Sequence, residues 1–68
     1  MINIWNYAND LPRVILTGID GSEYIGKVLA VLDAEETEDL EDYIDLRLDS
    51  GEIKSFYPSE IKSIDVIR

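Results

Sequence analysis

The sequence contains no cysteine and no histidine. Without cysteine no disulfide can form, and without either residue a structural zinc site is not expected. These two residue types are also frequent nucleophiles and general bases at neutral pH, and the five serines have no evident base beside them in the sequence. We therefore expect a protein that is not an enzyme and that holds no metal and no cofactor.

No run of apolar residues in the 68-residue chain approaches the roughly 20 needed to cross a bilayer. No basic start followed by an apolar signal core is present either, so we expect a soluble, cytoplasmic protein without a membrane contact. Residues 1–68 are expected to form one small domain whose core supplies a net stability of only roughly 3–5 kcal/mol. Because neither a disulfide nor a metal adds to that margin, the sequence favours a homo-oligomer.

Positive charge is scarce, with six lysines and arginines against fifteen aspartates and glutamates and a formal net charge of −9. The stretch DAEETEDLED, residues 33–42, carries seven of these acids, so the rest of the chain sums to only −2. It contains no glycine and no alternating D-x-D-x-D-G pattern, which excludes a calcium loop of the EF-hand kind. We interpret it as a solvated acidic loop with one helical turn around Leu40, and contact with a basic protein or peptide as the alternative.

Nucleic-acid binding requires cations gathered on one face of a protein. The cationic residues are instead spread along the predicted strands, at Arg13, Lys27, Arg47, Lys54, Lys62 and Arg68. Arg47 lies between Asp45 and Asp49 on its own predicted face. By this charge argument a nucleic acid is not expected as a partner.

Short apolar segments separated by glycine turns predict a mainly β protein. After Pro12, the stretch RVILTGI is rich in β-branched residues and ends at Asp20-Gly21, a hairpin signal because glycine accepts the positive φ of such a turn. A second hairpin is predicted at Ser50-Gly51, and a proline-led 3₁₀ turn over residues 58–60 leads into a last strand. Residues 2–8 are predicted to form a short helix, with an extended arm as the alternative.

The segment EYIGKVLAVLD is predicted to be a long strand that is apolar on both faces and that bends at Gly26. Strict alternation divides its side chains into two sets: Tyr24, Val28, Ala30 and Leu32 on one face, and Ile25, Leu29 and Val31 on the other. The first set can line the core. The second set, Ile25, Leu29 and Val31, is predicted as an oligomer interface, and pairing of strand edges is the other route to assembly.

Together these elements predict a five-stranded, strongly bent antiparallel barrel of the Sm-like or SH3-like type with a short N-terminal helix. The stretch VILTGIDGSEYIGKVLAVLD resembles the first sequence motif of the Sm-like family. FYPSEIKSIDVI is similar in spacing to the second motif of its bacterial RNA-chaperone branch, through Tyr57, Ile61 and Ile64. The resemblance implies an oligomeric ring that binds RNA, although Pro58 and Ser59 stand where that branch has an RNA-reading Lys-His pair.

Aromatic side chains are the remaining candidates for a partner-binding surface: Trp5, Tyr7, Tyr43, Phe56 and Tyr57. Trp5 and Tyr7 can instead form a lid over the core. Tyr43, Phe56 and Tyr57, beside the acidic loop, are arranged in sequence like an SH3 ligand site for a basic proline-rich peptide. Our leading hypothesis is a non-enzymatic interaction or assembly module with an Sm-like barrel. The alternatives are an RNA-binding Sm-like ring and an SH3-like adaptor.

Overall fold

The computed structural model describes residues 2–37 and 41–67, which form one antiparallel β-sheet with short helical turns at its connections. The strands are β1 (Arg13–Gly18), β2 (Glu23–Leu32), β3 (Tyr43–Leu48), β4 (Ile53–Phe56) and β5 (Ile61–Val66). One 3₁₀ turn (Ile4–Tyr7) precedes β1, one helical turn, α1 (Ala34–Thr37), follows β2, and a second 3₁₀ turn (Pro58–Glu60) joins β4 to β5. The order across the sheet is β4-β3-β2-β1-β5.

The predicted glycine turns and the proline-led 3₁₀ turn are confirmed. Gly21 and Gly51 have φ values of +88° and +95°, in the left-handed region that glycine occupies without strain. Their amides donate to the carbonyl oxygens of Gly18 and Leu48, at 3.0 and 2.8 Å, and so close the two hairpins. The helical turn of the acidic loop is α1, whereas Leu40, around which a turn was predicted, lies outside the described residues.

Two predictions about the architecture are corrected. The short helix predicted over residues 2–8 is reduced to one 3₁₀ turn, Ile4–Tyr7, because so short a segment, stopped by Asp10 and Pro12, cannot complete several helical hydrogen bonds. The sheet is open rather than closed into a barrel: within the described ranges β4 and β5 are its two edges and do not pair. Pro58 lacks an amide hydrogen and so cannot donate to a neighbouring strand. The 3₁₀ turn that it begins connects β4 to β5 without pairing them.

In the described part of the chain, the core lies on one face of the sheet and consists of nine apolar side chains: Ile4, Val14, Leu16, Val28, Ile44, Leu46, Phe56, Ile61 and Ile64. Ile4 reaches this core from the first 3₁₀ turn, so that turn closes one end of it. Ile61 and Ile64 are an odd number of residues apart and yet both are buried, because the register between β1 and β5 shifts at Thr17 and Gly18.

A second register shift, in β2, corrects the predicted position of Val31. Val28 pairs with Leu46 and Ala30 with Asp45, so Leu29 is an extra residue in a β-bulge. Beyond the bulge Val31 lies opposite the buried Ile44 and packs against the core. Leu29, in contrast, stays on the outer face.

Gly26 is required by the close approach of β2 and β3. A Cβ atom at this position would lie 2.9 Å from the carbonyl carbon of Arg47 and closer still to its oxygen. Both are backbone atoms, so a side chain at position 26 could be accommodated only by separating the two strands.

Replacing Gly26 with alanine should therefore lower the free energy of unfolding by about 1–3 kcal/mol or more. For a domain of this size each kcal/mol lowers the midpoint of thermal unfolding by roughly 4–8 °C. Gly51→Ala is the matched control, because its Cβ would meet no atom within 4 Å and its loss, roughly 1–2 kcal/mol, would come from the positive φ alone. Circular dichroism melting of both variants measures the difference, and an equal loss would contradict the close approach.

Candidate functional site

The predicted partner-binding aromatics do not form one surface. Phe56 is buried in the core, with its ring centroid 5.0 Å from that of Tyr24. Tyr43 and Tyr57 are half-buried and meet edge to face, with centroids 6.0 Å apart. The Tyr43–Tyr57 pair therefore lies where a ligand could contact it beside the end of the acidic loop.

Trp5 and Tyr7 attach the first 3₁₀ turn to distant parts of the chain. Trp5 is exposed, and its indole Nε1 donates a hydrogen bond of 2.8 Å to Asp42 Oδ2. The Tyr7 hydroxyl, half-buried, donates to the carbonyl oxygen of Ile64 at 3.3 Å. These bonds, with the burial of Ile4, make the turn a lid that is fastened at the acidic loop and at β5.

The base of the acidic loop is held by hydrogen bonds. Asp42 Oδ1 accepts from the Ala34 amide at 2.8 Å, which joins the two ends of the loop. The Glu41 carboxylate accepts from the amide and the hydroxyl of Ser59, at 3.2 and 3.0 Å. Ser59 is one of the two positions where the Sm-like resemblance would place an RNA contact, and its donors are here occupied by a carboxylate.

An open cleft of about 240 Å³ lies between the β1–β2 turn and the end of β4. Its floor includes Tyr24 and Phe56, and the Lys54 Nζ lies 5.6 and 5.8 Å from their ring centroids. Asp20 lines it too, but both carboxylate oxygens of Asp20 accept hydrogen bonds from Ser22. These bonds from Ser22 favour the charged carboxylate and lower the pKa of Asp20 below its ordinary value. Asp20 therefore stabilises the β1–β2 turn through both of its carboxylate oxygens.

The sheet register gathers three cations that appear scattered in the sequence. Arg13 lies directly opposite Lys27, and Lys27 directly opposite Arg47, so that they form one row across β1, β2 and β3. All three side chains lie on the exposed outer face. We call Arg13, Lys27 and Arg47 the cation row. The expectation that the cations are spread apart is therefore wrong for these three.

The contacts of the cation row differ along its length. Arg13 forms an ion pair with Asp49, with 2.5 Å between its Nη2 and the Oδ2 of Asp49. Lys27 Nζ donates to the carbonyl oxygen of Leu11 at 2.9 Å. Arg47 has no ion pair with any residue of the described ranges. One carboxylate thus balances three cations by direct contact.

Both edges of the sheet leave backbone groups that point away from it. Alternate residues of an antiparallel strand direct their N–H and C=O groups to the neighbouring strand. The Ile67 amide donates to Arg13 and the Leu48 amide to Glu52, both at 2.8 Å. By alternation from these bonds, the outward backbone groups are those of Ile64 and Val66 on β5, and of Ile53 and Ser55 on β4.

In residues 2–37 and 41–67 no three potential metal ligands lie together, and no helix there is long and apolar enough to span a bilayer. Comparisons with protein-family models, with curated proteins and with solved structures found no match to this chain.

Protonation of Asp42 should release Trp5. Hydrogen bonds from the Ala34 amide and then from the Trp5 indole lower the pKa of Asp42 below its ordinary 3.8. Because these bonds favour the carboxylate, their contribution to stability is present above pH 3.8 and is lost as the pH falls through the lower, folded-state pKa. The emission of Trp5, the single tryptophan, should change with a midpoint below 3.8.

Asp42→Asn should remove this titration, since an amide accepts hydrogen bonds but does not ionise in this range. Asp20→Asn is the control, because the pKa of Asp20 is lowered as well, but by hydrogen bonds from Ser22 and not from Trp5. A midpoint above 3.8, or a titration that persists in Asp42→Asn, would contradict the assignment.

Proposed function

We propose that this chain is a non-enzymatic interaction and assembly module with an Sm-like architecture, which associates through the free edges of its sheet. The observation that carries the proposal is the open sheet, in which two edge strands each present two residues with outward backbone groups. Such groups form a template for pairing with another strand. The succession of lid, bent sheet and 3₁₀ turn into β5 supports the Sm-like assignment.

The side chains at β5 also support association there. Val66 lies opposite Val14, a buried core residue, and so belongs to the core side of the sheet. It is nevertheless 44% exposed, because no strand of the described chain lies beyond β5. Of the outward backbone groups at this edge, the carbonyl oxygen of Ile64 receives the Tyr7 hydroxyl. A strand from a second copy would pair with the groups that remain and cover Val66.

The β4 edge is the more accessible of the two. In the described part of the chain, no hydrogen bond reaches the outward backbone groups of Ile53 and Ser55. Ile53 is 59% exposed. Because the core is small and no disulfide adds to its stability, burying this edge between copies would add a stabilising interaction that the monomer lacks.

The two alternatives have weaker support. An SH3-like adaptor would need several converging aromatics, but Phe56 is in the core and the Trp5 indole is bonded to Asp42. An RNA-binding ring would need a cation or a free donor near Ser59, where the Glu41 carboxylate lies instead. A negative charge at this position repels phosphate.

Replacing Ile53 with proline should dissociate an edge-paired assembly. Proline removes an amide hydrogen that points away from β3, so the fold should persist while edge pairing is lost. Ile53→Ala is the matched control, since it removes the apolar side chain but keeps the amide. Light scattering after size exclusion, at about 0.5 M salt to screen surface charges, should give the 7.7 kDa monomer for Ile53→Pro and a larger mass for wild type and Ile53→Ala.

Two outcomes would contradict edge pairing. A wild-type mass of 7.7 kDa at every concentration would reject self-assembly. Dissociation by Leu29→Asp with no effect of Ile53→Pro would transfer the interface to the outer face, where Ile25 and Leu29 are 42% and 36% exposed. Circular dichroism of each variant checks that the fold is retained.

A further inference from the structure

We propose that the cation row of one copy binds the acidic segment, residues 33–42, of a second copy. This contact deepens the proposed assembly by adding a charge-dependent interface to the strand edges, and it rests on that proposal only in taking a second copy as the partner. It assigns a ligand to the outer face of the sheet and a role to the densest cluster of charge in the sequence.

The charge of the row is the first argument. Neighbouring strands are about 4.8 Å apart, so three cations in register span only about 10 Å. Like charges directly opposite each other destabilise a sheet. Among the described residues, Asp49 forms the ion pair with Arg13, and Lys27 donates to the carbonyl oxygen of Leu11. Asp45 and Asp49 flank Arg47 along β3, but Lys27 and Arg47 form no ion pair in the described ranges, so the row retains charge for an anionic ligand.

The apolar side chains around the row are the second argument. Ile25 and Leu29 lie on either side of Lys27 along β2, and Ile53 lies beyond Arg47 in the same row. All three are at least 36% exposed. A ligand that combines acids with apolar residues fits such a surface better than a bare polyanion. The acidic segment has this composition, with Ala34 and Leu40 among its seven carboxylates.

The backbone of the acidic segment falls short of the row of its own copy. Asp33 is six residues along β2 from Lys27, which corresponds to about 20 Å at roughly 3.3 Å per residue. The two ends of the loop are joined by the bond between Asp42 and Ala34. A loop formed by residues 34–41 can project its backbone at most half of its extended length, about 14 Å. The segment of another copy approaches the row without this limit, which favours a contact between copies.

The same separation allows a reciprocal contact. Two copies related by a two-fold axis can each place the acidic segment on the cation row of the other, so that the contact is made twice. At physiological salt the Debye length is about 8 Å, which screens the repulsion between two acidic chains at larger distances. Ion pairs at the contact itself persist longer, and the association should weaken steadily with added salt.

A labelled peptide with the sequence of residues 33–42 tests the contact directly by fluorescence anisotropy on the full chain. We expect wild type to bind it at low salt and to lose about tenfold in affinity when the carboxylates are replaced by amides, as in NAQQTQNLQN. Lys27→Glu should also cost about tenfold. Lys62→Glu, an exposed lysine on β5, makes the same change of charge outside the row and should change the affinity less than about twofold.

Three results would overturn the inference. The first is no binding of the acidic peptide by wild type at low salt. The second is an equal loss in Lys27→Glu and Lys62→Glu, which would indicate a general effect of net charge. The third is binding of a short single-stranded oligouridine, sensitive to Lys27→Glu, without binding of the peptide, which would make the row a nucleic-acid site.

The peptide experiment is independent of edge pairing. Ser55→Pro removes the other outward amide of β4 and leaves the cation row and its apolar neighbours in place, so this variant should lose edge pairing and still bind the peptide as tightly as wild type. A wild type that shows no edge assembly but binds the peptide would reject the proposed function alone. Edge assembly that persists without any peptide binding would reject the cation row alone.

Discussion

The close approach of β2 to β3 at Gly26 sets the register on which both faces of the sheet depend. A side chain at this position would overlap the backbone of Arg47, so the two strands can meet here only at a glycine. From this contact Lys27 lies opposite Arg47, and Val28 lies opposite Leu46. One steric constraint therefore brings Val28 into the core and, on the other face, places two cations side by side.

The bulges extend the core of a chain that has no disulfide to stabilise it. In β2, the extra residue Leu29 shifts the phase so that Val31 turns towards the core. In β5, a second shift allows both Ile61 and Ile64 to be buried. Regular alternation would have left Val31 of β2, and either Ile61 or Ile64 of β5, in solvent. The same shift leaves Leu29 itself on the outer face, beside the cation row.

The acidic loop combines a hydrogen-bonded base with a concentrated charge. Asp42 and Glu41 bind the first and second 3₁₀ turns through Trp5 and Ser59, so the base of the loop links these two turns. The carboxylates at the base therefore contribute to the structure rather than only to solvation. The base also limits the reach of the loop backbone, because the bond between Ala34 and Asp42 holds its two ends together.

Sequence alone determined the features that depend on local backbone preferences. Gly21 and Gly51 specify turns because they accept positive φ, and Pro58 starts a 3₁₀ turn because it cannot extend a ladder. The register of the first hairpin, in contrast, could not be taken from its turn signal. A two-residue turn at Asp20-Gly21 would set Arg13 opposite Val28, whereas the Gly18 amide donates to Ser22 across a three-residue loop and Arg13 lies opposite Lys27.

Only the tertiary structure decided the remainder. The long acidic loop leaves the register of β3 free, so the position of Arg47 beside Lys27 follows from packing at Gly26 and not from any turn. The open sheet depends on which distant strands pair. The bond between Trp5 and Asp42 joins residues distant in sequence, and the inward direction of Val31 depends on a bulge. Local sequence patterns determine the class of structure. Long-range contacts decide which charges and strand edges become neighbours, because these contacts form only when the strands are assembled.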